Sequence, residues 1–554
     1  MARPIITYPV APAFERRVAY FSMEFAVDQA LKIYSGGLGF LAGSHIRSAY
    51  ELGQNLVGVG ILWKYGYYDQ QRDTDTSMKP AFVEKDYSFL EDTRIVFTVT
   101  VHDAPVYVKA LLLRPETFRT APLYLLTTDI PENDFLSRSV THRLYDSNEA
   151  TRIAQSIILG AGGARLMELL DFRPEVYHMN EGHALPLAFY LHRESGSLSA
   201  VREKLVFTTH TPEAAWNEVH RYGILEKMSF FQGLREYQVR DLLGLDGPAF
   251  NYTLAALKFA RRANGVSELH AGVARRMWSG HQGICEIMSV TNAQNRTYWA
   301  DAAYRKHMEE QRDDLVRMRK KELKQELFKV VADQTGKLFQ ERTCTLVWAR
   351  RFAGYKRADL LLRDWTRFTR LIQQTRYPLQ IIWAGKPYPE DHSAIRLFNE
   401  ILHRVRHLPN CAVLVGYELH LSGLLKKGSD LWLNNPVRYR EASGTSGMTA
   451  AMNGSVNLSI PDGWIPEFAR DGENSFIIPP APDGLPPDQR DDQEAAALYD
   501  LLEHTILPMY YEQPDKWLEI VKTAFRDITP AFEAGRMAGQ YYSRLYDDVP
   551  VTVS

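Results

Sequence analysis

The stretch CTLVWARRFAGYKRADLLL, residues 344–362, contains the pattern from which we predict the fold. Its apolar run CTLVWA is long enough for a buried strand, and basic and glycine residues follow it directly. The same unit of strand, loop and helical segment recurs downstream, with strands predicted at LQIIWAG, CAVLVG, DLWLNN, SVNLSI and SFIIPP. Regular repetition of such units predicts a parallel sheet covered by helices.

An earlier series of strands precedes this one. Its members are predicted at RVAYFSMEF, NLVGVGILW, RIVFTVTV, APLYLLTT, PEVYHMN and KLVFTTH. Helical segments such as residues 148–170 lie between them. We therefore expect the α/β fold class, with two Rossmann-like, doubly wound domains facing an interdomain cleft at the carboxyl ends of their strands. That is the architecture of a GT-B glycosyltransferase, although the alternation alone also fits other two-domain α/β proteins.

The domain boundaries follow from the two series. We expect an N-terminal domain over residues 1–285, a C-terminal domain over 286–515, and a helical segment, 516–554, that returns to the first domain. The charged region 300–330 is typical of a helix with a solvated face. The stretch APDGLPPDQRDDQ, residues 481–493, is predicted as a loop because it is rich in Pro, Asp and Gly.

Composition excludes several classes of protein. The 554 residues carry a net charge of −2, which gives no reason to expect a nucleic-acid or membrane partner. Three widely spaced cysteines form neither a disulfide framework nor a metal motif. Neither a signal peptide nor an apolar run of membrane-spanning length is evident. We therefore expect a cytoplasmic enzyme.

Glycine and basic clusters mark two candidate binding sites. In YSGGLG, Gly36 and Gly37 could let backbone N–H groups face a ligand, although a tight turn before a helix would use the same glycines. Arg350, Arg351 and Lys356 lie within seven residues at the end of a strand. Together they would bind phosphate, unless they are merely solvated surface residues.

Histidine and carboxylate residues mark two more positions. His210 ends the strand LVFTTH, where a catalytic and a purely structural histidine are both common. The spacing of His178 and His183 does not match the His-Glu-x-x-His zinc motif, and we expect no metal. Glu441 precedes a loop of Gly and Ser residues. Its charge disfavours contact with phosphate, but it could accept hydrogen bonds from sugar hydroxyls.

These motifs resemble those of the α-glucan (glycogen/starch/maltodextrin) phosphorylase family, in its compact bacterial and archaeal form. The resemblance spans about residues 18–475 in the family's order: YFSMEF, YSGGLG, HMNEGHA, TTHTPEA, ANGVSELH, ARRFAGYKR, and EASGTSGM followed by MNGSVNLSIPDGWIPE. It implies a retaining hexosyltransferase that moves glucosyl units between an anomeric sugar phosphate and an α-1,4-glucan or other oligosaccharide acceptor. It leaves a homodimer open.

The resemblance also assigns roles to residues. The catalytic set is His210, Arg351, Lys356 and Glu441. The substrate-binding set is Gly36, Gly37, Asn264, Tyr355, Ser443 and Gly444. The set that binds the phosphate or cofactor is Arg350, Thr445, Ser446, Gly447 and Thr449.

Thr449 departs from the family pattern. The family has at this position the lysine that holds pyridoxal 5′-phosphate as an imine, and a threonine hydroxyl cannot form that bond. We therefore expect no covalent cofactor. A nucleotide-sugar donor could instead place its distal phosphate in the cofactor-phosphate position. Ser35, Ala293 and Glu418 depart from the pattern as well.

Two alternatives stay open at this point. One is a pyridoxal-phosphate-dependent phosphorylase whose cofactor is bound non-covalently or elsewhere. The other is an inactive protein that binds glucan or sugar phosphate. Retention of Arg351, Lys356, His210, Asn264 and Glu441 argues against the second, since a decaying site would lose its charges first.

Overall fold

The computed structural model describes residues 5–547. The described residues form two compact units. The first unit comprises residues 5–68, 82–292 and 534–547, and the second comprises 69–81 and 293–533. No helix among residues 5–547 is long and apolar enough to cross a membrane.

The described residues contain nineteen strands. In chain order they are β1 Val18–Phe21, β2 Leu56–Ile61, β3 Asp69–Arg72, β4 Met78–Ala81, β5 Glu91–Val101, β6 Ala104–Leu113, β7 Leu123–Thr127, β8 Val176–Asn180, β9 Leu205–Thr208, β10 Val219–His220, β11 Phe250–Asn251, β12 Arg262–Gly265, β13 Glu286–Ser289, β14 Cys344–Ala349, β15 Leu379–Ala384, β16 Cys411–Leu414, β17 Leu431–Asn434, β18 Val456–Ser459 and β19 Ser475–Ile477.

The first unit is built on a nine-stranded sheet in the order β13-β12-β9-β8-β1-β2-β7-β6-β5. Strands β1, β2, β8 and β9 are buried along their whole length, which explains why their sequences are mostly apolar. The edge differs from the predicted parallel sheet, because β5 and β6 pair antiparallel, and β6 pairs antiparallel with β7. Exposed and buried residues alternate along β5, as expected for a strand with one solvated face.

Helices of the first unit precede or connect these strands. They are α1 Gly37–Leu52, α2 Pro115–Phe118, α3 Phe135–Ser139, α4 Glu149–Ile157, α5 Gly163–Leu169, α6 Pro186–Ser195, α7 Leu198–Lys204, α8 Tyr222–Lys227, α9 Glu236–Leu243, α10 Tyr252–Phe259 and α11 Glu268–Trp278. The predicted helix at residues 148–170 is α4 and α5, joined by a π-helical turn at Ile158–Gly162.

The second unit is built on a parallel six-stranded sheet in the order β16-β15-β14-β17-β18-β19. This is the order of a doubly wound Rossmann sheet. Its strand order reverses between β14 and β17, and the crevice at that point is where such sheets bind ligands. The small hairpin of β3 and β4 also belongs to this unit.

The helices of the second unit lie mainly between these strands. They are α12 Arg296–Trp299, α13 Ala302–Glu309, α14 Asp313–Thr335, α15 Trp365–Gln373, α16 His392–Val405, α17 Leu419–Gly428, α18 Ser446–Ala451, α19 Ile465–Phe468, α20 Pro487–Leu501, α21 Leu507–Glu512 and α22 Pro514–Phe532. The chain then returns to the first unit with α23, Ala534–Gln540.

Helix α20 corrects the prediction of a loop over residues 481–493. It begins at Pro487, inside the predicted loop. Proline is compatible with the first turn of a helix, where its missing N–H has no partner in any case. Asp488 in the same turn adds a favourable charge near the helix N-terminus.

The units divide at different residues from the predicted domains. Strand β13 pairs with β12, which keeps residues 286–292 in the first unit rather than the second. Helix α22 packs against α18 and β18, so that the return to the first unit begins at residue 534 instead of 516. The hairpin 69–81 lies outside the predicted C-terminal domain in sequence but belongs to that unit in the structure.

Candidate active site

Arg350 lies at the point where the strand order of the second unit reverses. It directly follows β14, and it is buried. Its Nη1 donates to Oδ1 of Asn434, the last residue of β17, and its Nη2 donates to the Leu433 carbonyl at 3.3 Å. The two central strands therefore hold the guanidinium at the crevice where a ligand is expected.

Lys356, Glu441 and Arg350 form a buried cluster of charge. Lys356 donates from Nζ to Oε2 of Glu441, and Nη1 of Arg350 lies 3.8 Å from the same oxygen. Glu441 is only 9% exposed. One carboxylate is thus paired with two cations, which leaves net positive charge for an anion. The sequence predicted only that Glu441 accepts hydrogen bonds from sugar hydroxyls, and the pairing with Lys356 and Arg350 was not predicted.

Asp462 adds a second carboxylate to the cluster. It is completely buried, and its Oδ2 accepts the backbone N–H of Glu441 at 3.0 Å. Its Oδ1 accepts the N–H of Gly463 at 2.8 Å. Burial raises the pKa of Asp462 to about 7, and the negative charge of Glu441 acts in the same direction. Asp462 can therefore carry a proton near neutral pH.

The loop after Glu441 holds a further set of predicted binding residues. Ser443 is buried, and its hydroxyl has no hydrogen-bond partner among the described residues. Gly444 has φ +84°, a conformation that glycine adopts without strain. Thr445 is the N-cap of α18, but its side chain makes no capping bond, and Oγ of Ser446 accepts a bond from the Trp432 indole at 3.2 Å.

Gly447 allows close packing under this loop. A Cβ there would lie 2.3 Å from Oδ1 of Asn457 and 3.1 Å from the Trp464 ring. This glycine is therefore required by its neighbours, whatever role its N–H group has in binding an anion.

Thr449 lies completely buried inside α18. Its hydroxyl donates to the Ser446 carbonyl at 3.0 Å, and its own carbonyl accepts a bond from the Asn453 amide at 2.8 Å. The side chain is thus engaged within its own helix. Neither its chemistry nor its hydrogen bonding fits an imine-bound cofactor.

Lys356 and Lys386 do not replace that amine. Lys356 is paired with Glu441, as described above. Lys386 is buried and lies 3.1 Å from Oε1 of Glu418. Both amino groups are already held in ion pairs with a carboxylate, whereas imine formation needs an amine that is free to attack the aldehyde. The donor set around Arg350 therefore fits a phosphate, but these residues do not fit covalent pyridoxal phosphate.

Arg351 and Tyr355 complete the predicted set of this unit. The Arg351 side chain is exposed, in contrast to its buried neighbour Arg350. The ring of Tyr355 lies 4.9 Å from Nζ of Lys356. Burial raises the pKa of the Tyr355 hydroxyl.

His210 in the first unit follows β9 and is neutral at physiological pH. Its Nε2 lies 2.7 Å from Oδ1 of Asn180, whose Nδ2 donates to Ser22 at 3.1 Å. Because the amide oxygen faces the ring, Nε2 carries the proton and donates. The backbone N–H of His210 donates to Glu181 at 2.7 Å. Burial lowers the pKa of His210 to about 3, with further lowering from His270 and His183.

Asn264 is held by a relay of hydrogen bonds. Oγ1 of Thr208 donates to Oδ1 of Asn264 at 2.6 Å, so it must accept from Nε2 of His178, 2.7 Å away. Nδ1 of His178 then accepts from the Tyr546 hydroxyl at 2.7 Å. Burial holds the pKa of His178 well below its usual value, which keeps the ring neutral for this relay.

The glycine loop before α1 rests on a carboxylate. Oε2 of Glu24 accepts the N–H groups of Ser35 at 2.6 Å and Gly36 at 3.1 Å, and Oε1 accepts the Tyr145 hydroxyl at 2.7 Å. The Gly36 N–H is thus bound to Glu24, which corrects the expectation that it faces a ligand. A Cβ at Gly36 or Gly37 would meet nothing within 4 Å, so the space above the loop is open.

Sequence reasoning missed Asp462, Glu24 and the role of His178. Glu24 follows β1 and Asp462 follows β18 closely. Polar residues that follow apolar strands were the signal that identified Arg350, and the same signal would have identified these two carboxylates.

One acidic cluster lies apart from these residues. Asp500, Glu503 and His504 are the one group found in residues 5–547 whose ligand atoms could converge on a metal ion. Both carboxylates are already paired with Arg367, at 2.5 Å and 2.6 Å. The cluster is therefore explained as an ion-pair network.

Fold and site together define an α/β protein with a buried cationic cluster at the switch point of a doubly wound sheet. Residues 251–478 match the family model of carbohydrate phosphorylases. The chain is 34% identical over 624 residues to the glycogen phosphorylase of Mycobacterium tuberculosis and 32% identical over 600 residues to the maltodextrin phosphorylase of Thermococcus litoralis. Each match covers 97% of this chain and 71% of the relative.

An uncharacterized protein of Methanocaldococcus jannaschii is 48% identical over 531 residues, which cover 95% of this chain and 99% of that protein. The chain belongs to the carbohydrate phosphorylase family. The family resemblance predicted from the motifs is therefore confirmed.

Proposed function

We propose that the protein is a retaining glucosyltransferase that moves glucosyl units between an anomeric sugar phosphate and an α-1,4-glucan acceptor, without covalent pyridoxal phosphate. The observation that carries this proposal is the buried cluster of Arg350, Lys356 and Glu441 at the switch point of the second sheet. Membership of the carbohydrate phosphorylase family supports the reaction type.

The cationic cluster would bind and stabilise the phosphate of the donor. Negative charge develops on that phosphate as the glucosyl bond breaks, and buried cations already held in place stabilise it without reorganisation. Arg350 is fixed by β17, and Lys356 is fixed by Glu441. Arg351, which is exposed, would add a third cation.

Glu441 would act both as counter-ion and as a sugar ligand. Its Oε2 faces Lys356 and Arg350, and an anionic phosphate that approaches them competes with this carboxylate. The neighbouring Asp462, with a pKa of about 7, could be protonated when the phosphate binds and would then add no further negative charge. Glu441 and the loop through Ser443 and Gly444 would then accept and donate hydrogen bonds to sugar hydroxyls.

The first unit has its own set of proposed sugar-binding residues. His210 is neutral and has its Nε2–H committed to Asn180, so its role would be to present main-chain and ring acceptors rather than to donate a proton. Asn264 is oriented by the Thr208–His178 relay and would hydrogen-bond the same sugar. The open space above Gly36 and Gly37 suits the approach of a sugar or its phosphate.

A transfer assay tests the proposal. The protein is incubated with maltooligosaccharides and glucose 1-phosphate, and phosphate release and chain extension are measured without added pyridoxal phosphate. We expect turnover in the wild type and a fall of about 10²–10³ in Arg351→Ala, because a contact to developing charge is lost. The exposed Lys329→Ala on α14 is the matched control. Binding of the sugars without turnover under any condition would favour an inactive binding protein.

The cofactor is tested separately. The protein is incubated with pyridoxal phosphate, reduced with borohydride, denatured and mapped by mass spectrometry. We expect no pyridoxyl lysine, because Thr449 offers no amine and both Lys356 and Lys386 are ion-paired. A stoichiometric adduct on either lysine would make the protein a pyridoxal-phosphate enzyme with a relocated attachment site.

A further inference from the structure

The hairpin of β3 and β4, residues 69–81, is anchored firmly in the second unit. Arg72 donates from Nη2 to the Val413 carbonyl at 2.8 Å. The N–H of Met78 donates to the Asn399 side chain at 2.8 Å, and Asn399 donates back to the Met78 carbonyl at 3.3 Å. The Met78 side chain is buried in the apolar core of this unit. The hairpin is thus a fixed part of the second unit.

Gln70 uses its whole carboxamide on main-chain groups at the ends of two strands. Its Nε2 donates to the Gly385 carbonyl at 2.8 Å, directly after β15. Its Oε1 accepts the N–H groups of Gly416 at 3.0 Å and Tyr417 at 3.1 Å, which follow β16. The side chain is buried. One acceptor and two donors of the main chain are therefore all satisfied by a single side-chain amide.

These strand ends belong to the half of the sheet that would bind a nucleoside. In a doubly wound sheet of this order, β14, β15 and β16 form one mononucleotide-binding half, and the nucleotide lies across their carboxyl ends. A nucleobase presents amide-like donors and acceptors along its edge, as Gln70 does here. The residues that directly follow Gly385 and Tyr417 in the chain, Lys386 and Glu418, form a buried ion pair.

We propose that the hairpin is a specificity element, in which Gln70 occupies the strand-end groups that a nucleobase would use, so that the cluster at Arg350 and Lys356 accepts a leaving group without a nucleoside. The inference rests on the proposed function only in assigning that cluster to the leaving group of the donor. The contacts of Gln70 with the ends of β15 and β16 do not depend on that assignment.

The experiment compares nucleoside-bearing ligands with the bare anion. Isothermal titration measures binding of pyrophosphate, ADP, UDP, adenosine and uridine to the wild type, Gln70→Ala and Gln71→Ala. Gln71 is the matched control, because it is the next residue of β3, is exposed, and points to the other face of the strand. Adenosine and uridine probe the strand ends independently of the cationic cluster.

In the wild type we expect ADP and UDP to bind no tighter than pyrophosphate, and the nucleosides not to bind. In Gln70→Ala we expect at least a tenfold gain for ADP or UDP relative to pyrophosphate, and no gain in Gln71→Ala. Wild-type binding of either diphosphate at least tenfold tighter than pyrophosphate would overturn the inference, even if Gln70→Ala does not fold. A folded Gln70→Ala that behaves as the wild type would also overturn it.

Failure of the proposed function gives a different result. In that case glucose 1-phosphate is not turned over, and Arg351→Ala does not change binding of pyrophosphate. The comparison of the free nucleosides between wild type and Gln70→Ala still decides whether the hairpin closes the strand ends.

Discussion

At the scale of single residues, the pairing of Lys356 with Glu441 is the contact that most constrains the site. Glu441 is buried between Lys356 and Arg350, so removal of either partner leaves charge in a poorly solvated place. A buried ion pair is costly to break, although it contributes little compared with a well-packed apolar pair. The pair is therefore better explained by function than by stability.

A double-mutant cycle tests this explanation. Lys356→Met should lower the free energy of unfolding by about 3 kcal/mol, because Glu441 keeps only the more distant Arg350. Adding Glu441→Leu should restore most of the loss, and both variants should lack transferase activity. Chemical denaturation and the transfer assay are the measurements, with the exposed Lys329→Met as control. If Lys356→Met were as stable as that control, the two side chains would not be paired in solution.

Asp462 predicts a pH dependence of stability. Its folded pKa is about 7, above the unfolded value of about 3.9, so its contribution is fully present below about pH 4 and is lost as pH rises through 7. Asp462→Asn, which is always neutral, should gain stability over the wild type progressively between pH 4 and 7, by an amount on the order of 4 kcal/mol.

The difference in the free energy of unfolding between Asp462→Asn and the wild type should be constant above about pH 8. Urea unfolding of both proteins from pH 4 to 9 measures it. A difference that does not vary with pH would show that Asp462 titrates at its ordinary value.

At the scale of elements, helix α1 carries two kinds of glycine. A Cβ at Gly43 would lie 1.9 Å from the Ala26 carbonyl, whereas a Cβ at Gly36, just before the helix, would meet nothing within 4 Å. Gly36 also has extended backbone, with φ −174°, which any residue adopts. Packing therefore requires Gly43 but does not require Gly36.

Substitution of alanine at Gly43 and at Gly36 should have different effects, the first on stability and the second on access of the substrate. Gly43→Ala should lower the thermal midpoint by several degrees, since backbone must move. Gly36→Ala should leave the midpoint unchanged and reduce transfer at least tenfold, because the methyl group enters the space where substrate is proposed to bind. Differential scanning calorimetry and the transfer assay measure the two effects. Full activity of Gly36→Ala would remove this loop from the site.

The elements differ in how far the sequence predicts them. Strands β1, β2, β8, β9 and the six strands of the second sheet were predicted because burial on both faces leaves a mostly apolar run. The antiparallel pairing at the edge of the first sheet was not predicted, because the composition of RIVFTVTV is equally compatible with a parallel and an antiparallel strand. Direction is decided by its pairing with β6.

The candidate site shows the same limit. Arg350 and Lys356 were found because they follow an apolar strand. The partnership of Lys356 with Glu441 joins residues 85 positions apart, and that of Gln70 with Tyr417 joins residues 347 apart. No local pattern encodes such contacts. DQQRDTDTSMKPA, which contains Gln70, has the composition of an ordinary polar turn.

In the molecule as a whole, the first unit is built from chain segments that precede residues 293–533 and from a segment that follows them. Helix α23 packs against α1, and Gln54 donates to the Ala538 carbonyl at 3.1 Å. Tyr546 starts the relay that orients Asn264. Residues 534–547 are thus structural parts of the first unit and of its proposed sugar-binding group.

Deletion of residues 534–554 should therefore affect the two units unequally. Hydrogen exchange should show loss of protection in β1, β8 and β9, while β14 and β15 keep theirs, because their core is built from residues 69–81 and 293–533, which the deletion leaves in place. Equal loss in both units would mean that they unfold as one. A matched internal control is Tyr546→Phe, which removes the hydroxyl of the relay but keeps the packing.

The division of the chain also sets an order of events on the ribosome. At about 5–20 residues per second, residues 293–533 take on the order of 10–50 s to be made after β13 has emerged. The second unit can condense during this delay, whereas the nascent first unit waits, with the face of α1 that α23 will cover still uncovered. The hairpin at 69–81 waits for a shorter time, until β15 and β16 have been made. Release of the chain before residue 534 would therefore leave the first unit without the helix that covers this face of α1.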